Sequence, residues 1–194
     1  MNVCQGRLAW PLIAALAAAP AAAALDSFSS LVSKAVSTTL DMRTKGEVTA
    51  DTEIATSAGK ALLDDKKAEW KGVSVLVFAQ HAVIAGSVKD EATKKRVQEI
   101  VARDKRIRSL KNELRVTADT SFVGDTVVEE KINAVLTAAR GISSVNMRWK
   151  SVAGHVVLMG VAQSAAEASL AQSKVRALDG VKSLKSHLRV VARK

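Results

Sequence analysis

The chain is poor in the residues from which most catalytic and nucleic-acid sites are built. Its 194 residues include three Trp, three Phe, no Tyr, three His, two Pro and one Cys. Cys4 lies in the first few residues, ahead of an apolar stretch, so the chain beyond it offers no disulfide, thiolate nucleophile or cysteine-bound metal. Its place also argues against lipid attachment, which needs a cysteine at the end of the apolar stretch. Aromatics at 3% cannot build a platform for stacking unpaired bases. His81, His155 and His187 have no acidic or hydroxyl partner at a telling spacing, so neither a metal site nor a catalytic constellation is expected. The glycines stand singly and form no phosphate-cradling loop. No cofactor is implied.

A long, uninterrupted apolar run is missing too. LAWPLIAALAAAP is Ala-rich, broken by Pro11 and ended by Pro20, which makes a poor membrane span. A basic start, an apolar middle and the small residues Ala21–Ala24 describe a secretory signal peptide over 1–24, and hence an exported, periplasmic protein.

Charge is plentiful. Twenty-nine Lys and Arg against 19 Asp and Glu give a net charge of +10 and pI of about 9.9, a balance that suits an anionic partner. Export disfavours nucleic acid and leaves the surface of an anionic membrane lipid.

The sequence also repeats itself. Residues 51–116 align without a gap on 125–190 at an offset of 74, with 16 of 66 positions identical. Among them are Asp51/Asp125, His81/His155 and Gly86/Gly160, and SLKNELRV (109–116) matches SLKSHLRV (183–190). Each copy opens with helical spacing, as in Ile54, Ala58, Ala61, Leu62 and Val128, Ile132, Val135, Leu136. Period-two alternation follows at Val73, Val75, Val77 and at Val145, Met147, Trp149. A turn at Ala79-Gln80 or Ala153-Gly154 leads into HAVIAG and HVVLMG as the second strand of a hairpin. A second helix is expected to bury Ala92, Val97, Ile100 and Val101, or Ala166, Ala171 and Val175. A last strand is expected to turn Leu110, Leu114 and Val116, or Leu184, Leu188 and Val190, inward. The fold class is α+β: two tandem αββαβ modules, each a small three-stranded mixed sheet covered on one face by two helices. Residues 25–50 are expected to form a partly ordered leader and 191–194 a basic tail; a unit of 66 residues is near the lower limit for an independent core, so the two copies are expected to pack on each other, side by side across the short linker 117–124.

These features resemble the BON domain, found in bacterial osmotic-stress and nodulation proteins. The resemblance rests on a helix opening with Asp-Thr, a hairpin ending in apolar-x-Gly, and a short helix leading to x-x-Leu-x-Val. The second copy shows it more fully, in GHVVLMG (154–160) and LDGVKSLKSHLRV (178–190). The first has Gln80 at the turn and lacks a Gly before Ile107. DMRTKGEVTADTEI (41–54) is similar to the stretch before the first domain of dual-BON outer-membrane lipoproteins, which are associated with lipid binding and envelope integrity. The resemblance implies a non-catalytic periplasmic protein that binds anionic phospholipid, with a peripheral place on the outer membrane and a role in its integrity under stress. A protein-interaction or chaperone-like module of the osmotic-stress type, with envelope proteins as partners, is the alternative. It further implies that the second module carries the lipid site. There Lys131 to Arg140, with Arg148, Trp149 and Lys150 nearby, are the candidates. Trp70 and Lys71, in a lysine-rich loop, have the composition of a headgroup contact. Trp149 reads either as a core residue or as an interfacial one. Gly86 and Gly160 read as structural, permitting an unusual backbone angle or a close approach.

Overall fold

Both copies fold into the same α-β-β-α-β unit in the computed structural model, which describes residues 41–65, 72–117 and 122–192. The first contains α1 (Lys45–Asp64), β1 (Ser74–Phe78), β2 (His81–Val88), α2 (Glu91–Val101) and β3 (Ser109–Val116). The second contains α3 (Phe122–Ala138), a 3-10 turn (Ser144–Asn146), β4 (Met147–Val152), β5 (His155–Ala162), α4 (Ala165–Arg176) and β6 (Ser183–Val190). The sheets run β1-β2-β3 and β4-β5-β6. The hairpin strands are antiparallel, and the last strand lies parallel to the middle one. That parallel return requires a crossover, which α2 and α4 supply.

The helical stripes bury as their spacing dictates. Ile54, Ala58 and Leu62 of α1 meet Val97, Ile100 and Val101 of α2 over Val75, Val77, Ala82 and Ile84. In the second unit Val128, Ile132 and Leu136 meet Ala171 and Val175 over Met147, Val156 and Leu158. Both hairpins turn through two residues with positive φ: Ala79 (51°) and Gln80 (62°), then Ala153 (51°) and Gly154 (80°). That is the type I′ geometry whose twist matches paired strands. Gly86 (φ 136°) and Gly160 (φ 132°) sit where the chain entering the hairpin crosses the middle strand. A Cβ at Gly160 would overlap the carbonyl oxygen of Asn146, and one at Gly86 that of Gly72.

Several details differ from the sequence expectations. Helix α1 starts at Lys45, inside the stretch assigned to the leader, because Thr44 and Glu47 form a capping box: Thr44 Oγ1 accepts from Glu47 N (3.2 Å) and Glu47 Oε2 accepts from Thr44 N (2.9 Å). Val145 lies in the 3-10 turn rather than a strand. Ala92 and Ala166 are exposed, and the inward positions of those first turns are Thr93 and Glu167. Val116 and Val190 are also exposed (41% and 54%), since each strand end runs past the helices that cover Leu114 and Leu188.

The largest difference is the second face of each sheet. Leu76, Phe78, Val83 and Ala85 point away from the helices, as do Val152, Val157 and Met159, yet all are buried. The modules stack sheet against sheet, with β1 and β2 meeting β4, and the helices lie on the outer sides. The two copies thus pack on each other through their sheets, which keeps these residues from water.

Candidate functional site

The interface between the modules is isologous, in the sense that equivalent positions meet. Glu113 of β3 and His187 of β6 are 74 residues apart, and His187 Nε2 lies 2.8 Å from Glu113 Oε1. Strands β1 and β4, also equivalent, touch across the same interface.

A strap from the segment before α1 closes one side. Met42 N donates to Asn146 Oδ1 (2.9 Å), tying it to the second module. Arg43 grips Asp41 (2.7 Å) and, through Nη1, Asp51 (2.9 Å), tying it to the first. These two ion pairs are almost fully buried, and their hydrogen bonds outweigh burial to hold the Arg43 pKa above its ordinary value. The Arg43 guanidinium stands 4.4 Å from the centre of the Phe78 ring. The Asp-x-Arg-Thr spacing of 41–44 thus joins a strap to a helix cap.

Asp51 and Asp125 latch the hairpin turns. Asp51 accepts from Ala79 N and Gln80 N (both 2.7 Å). Asp125 accepts from Ala153 N (2.7 Å), Gly154 N (3.0 Å) and Ser151 Oγ (2.6 Å). Burial pushes the Asp125 carboxyl up, but those three donors prevail and hold it below the usual range. The sequence carried a signal for both: each is a carboxylate on the apolar stripe, three residues before Ile54 or Val128.

The residues put forward for lipid contact are dispersed. Arg140 is exposed just past the end of α3, and Lys131 reaches the exposed Asp179 (3.4 Å). Lys150 pairs with Glu129 (3.0 Å). Trp149 faces the opposite side of β4, packs against the second core and donates its Nε1–H to Glu129 O (3.1 Å). Arg148 points into the module interface, where it donates to the carbonyls of Val145 (2.9 Å) and Met147 (2.8 Å) and lies 5.6 Å from the Phe78 ring centre. Burial and the charge of Arg43 pull its pKa down to about 10, against the opposite pull of Asp41 and Asp51. Trp70, Lys71 and the proposed signal peptide lie outside the described residues.

The two equivalent histidines each have a serine partner on the neighbouring strand. His81 Nδ1 and Ser109 Oγ share a hydrogen bond (2.6 Å), as do the equivalent His155 and Ser183 (2.7 Å). Burial, then the charges of Arg189 and Arg108, hold His81 below its ordinary pKa. Burial, Arg115 and Lys182 do the same to His155. Asp51 and Asp125 pull the two histidines the opposite way.

Among the described residues, no group of three or more His, Cys, Asp or Glu is placed to hold a metal ion, and no helix is long and apolar enough to cross a membrane.

A family model described as "BON domain" matches residues 50–118 and 124–192. The osmotically-inducible protein Y of Escherichia coli (strain K12) is 26% identical over 153 residues, covering 76% of each chain. An uncharacterized protein encoded in the gshII 5′ region of Anaplasma centrale is 26% identical over 125 residues, 62% of this chain and 83% of that one. Among solved structures, CdsD, a structural protein of the type III secretion system of Chlamydia trachomatis, aligns with a TM-score of 0.32 at 16% identity. That alignment covers 73% of this chain and 65% of CdsD.

Proposed function

The chain belongs to the BON domain family, and from that premise we propose that it is a non-catalytic, exported envelope protein of the osmotic-stress type that binds the surface of anionic phospholipid through its second module. The supporting observation is how the charges of that module are divided. Residues 125–190 contain nine basic and five acidic residues. Two of the five, Asp125 and Glu167, are buried and committed to backbone N–H groups. Only Glu129, Glu130 and Asp179 remain to offset the cations, so the accessible surface is more basic than the sequence total. Lys131, Arg140, Lys174, Arg176, Lys182 and Lys185 stand on it. Each basic residue near an anionic membrane contributes about 1 kcal/mol, so several together give weak, reversible, salt-sensitive binding.

Lys131 and Arg140, on and just beyond α3, are the proposed contacts, with Lys150 close by in sequence. Arg148 and Trp149 serve the proposed surface from behind, as interface and core residues that set the position of β4. A role in outer-membrane integrity and a periplasmic location extend the same proposal. Sedimentation with phosphatidylglycerol vesicles tests it. Binding at low salt should fall about tenfold or more in the Lys131→Glu, Arg140→Glu double variant, which removes two such contacts and adds repulsion. No binding at low salt, or binding indifferent to these reversals, would sink the proposal.

A further inference from the structure

The two copies build the same hairpin latch from different parts. Asp125 holds the second turn through Ala153 N, Gly154 N and a third donor from its own hairpin, Ser151 Oγ (2.6 Å). The position equivalent to Ser151 in the first copy is Val77, whose side chain has nothing to donate. Asp51 takes its third hydrogen bond from outside the hairpin instead, from Arg43 Nη1 (2.9 Å), beside Ala79 N and Gln80 N (both 2.7 Å). Arg43 and Ala79 share the same oxygen, Oδ2, so the guanidinium and the turn are joined through one atom.

The strap that carries Arg43 is fixed at its other points. Asp41 holds the guanidinium at Nε (3.0 Å) and Nη2 (2.7 Å), the two-pronged geometry in which arginine and carboxylate bind most firmly. Met42 N donates to Asn146 Oδ1 (2.9 Å) in the second module. Asn146 is fully buried, and its carbonyl oxygen lies at the close crossing over Gly160. The Phe78 ring joins the two sides, with Arg43 at 4.4 Å from its centre and Arg148 of the second module at 5.6 Å. The second module has no such strap: the positions equivalent to 41–43 are Arg115, Val116 and Thr117, at the end of β3 and just past it. The strap also lies ahead of residues 50–118, which the family model matches.

We propose that residues 41–44 are a conformational lock. Docked, they complete the first module's turn latch and pin that module to the second; undocked, they release the turn and the interface together. Losing one partner of a buried ion pair strands the other charge, which favours release of the strap as a unit. The chain enters the modules through this strap, so a pull on the residues before it reaches the interface through Asp41 and Met42 first. The duplicated latch thus has one self-contained copy and one that depends on the preceding segment.

That asymmetry supplies the test, since the second hairpin is an internal control. Hydrogen exchange is followed residue by residue by NMR in the full chain. Arg43→Ala should speed exchange at Ala79 and Gln80 about tenfold or more, the factor for one hydrogen bond to a charged group. Asn146 and Met147, across the interface, should accelerate by a similar factor. Ala153 and Gly154, held by Asp125 and Ser151, should stay within about twofold of the wild type. Arg43→Lys keeps the charge but not the two-pronged grip; it should show the same pattern at lower amplitude, and it carries the test where the alanine variant does not fold. Acceleration confined to Ala79 and Gln80 would show a local latch with no hold on the second module. Equal acceleration at Ala153 and Gly154 would show general loosening. Either result overturns the lock, as does no change at any of these positions. The exchange is measured without lipid, so the lock and the lipid-binding proposal can fail independently.

Discussion

Removing the carboxylate of Asp125 should cost the fold about 3–4 kcal/mol. Asp125 is 8% exposed and accepts three hydrogen bonds at 2.6–3.0 Å, from Ser151 Oγ, Ala153 N and Gly154 N. A hydrogen bond to a charged group contributes about 1.5–3 kcal/mol net, so three give a gross figure of roughly 5–9 kcal/mol. Water reaches part of the turn once the side chain is gone, and the three are not additive, which brings the cost of Asp125→Ala to about half that. A domain stable by about 5–15 kcal/mol would survive the change with a visible loss. Urea unfolding followed by far-UV circular dichroism measures it. With a slope of about 2 kcal/mol per molar, the midpoint should fall by about 1.5–2 M. Asp125→Asn keeps one acceptor oxygen and should lose about half as much. Its pH dependence carries a second test. The folded carboxyl titrates below its ordinary value of 3.8, so its stabilisation is complete above about pH 4 and is lost as pH falls through the lowered folded value. The stability gap between wild type and Asp125→Asn should therefore be constant from pH 7 down to about 5 and narrow below 4. A midpoint shift under about 0.5 M for Asp125→Ala, or a gap that does not narrow in acid, would refute the latch.

Gly160→Ala should destabilise by about 3 kcal/mol or more, because φ of 132° disfavours any side chain and the new Cβ meets the immobile backbone of Asn146 and Met147. Gly46→Ala, in the open first turn of α1, should instead stabilise by a few tenths to 1 kcal/mol; urea midpoints for the pair separate a steric cause from a generic cost of substitution. Arg148→Met should raise stability at pH 7 by about 1 kcal/mol, since a base held down to about 10 in the fold is a net cost wherever it is charged. That cost is full below pH 10 and fades as pH rises toward the ordinary arginine value, so the advantage of the Met variant should shrink in strong base; a loss above 1 kcal/mol at pH 7 would show that the two carbonyl bonds and Phe78 outweigh the buried charge.

The module itself was legible because its signals are local. Helix stripes of i, i+4, i+7, i+8, a hairpin turn and an apolar middle strand all fall within a few residues of one another, and each occurs twice in register. The α+β class and the strand order follow from them. What escaped depends on contacts between residues distant in sequence. Ala92 and Ala166 fit an apolar stripe, but Asp90 and Ser164 cap their helices through Thr93 N and Glu167 N, and that sets which side of the first turn faces the core. Alternation already puts Trp149 with Met147 and Arg148 with Lys150 on opposite faces of β4, but it does not say which face meets the helices and which the other module. Trp149 packs, partly buried, against the second core, and Arg148 enters the interface between modules.

One overlooked signal was nevertheless local. HAVIAG and HVVLMG do not alternate: every residue from Ala82 to Val88 and from Val156 to Ala162 is buried. Two helices can cover only one face of a three-stranded sheet, so an unbroken apolar strand requires a second cover. The sheet of the second copy offers a surface of matching chemistry in Val152, Val157 and Met159. Face-to-face stacking therefore follows from the middle strands, and an isologous contact follows from the repeat. At that contact equivalent positions of β3 and β6 meet, as Glu113 and His187 do.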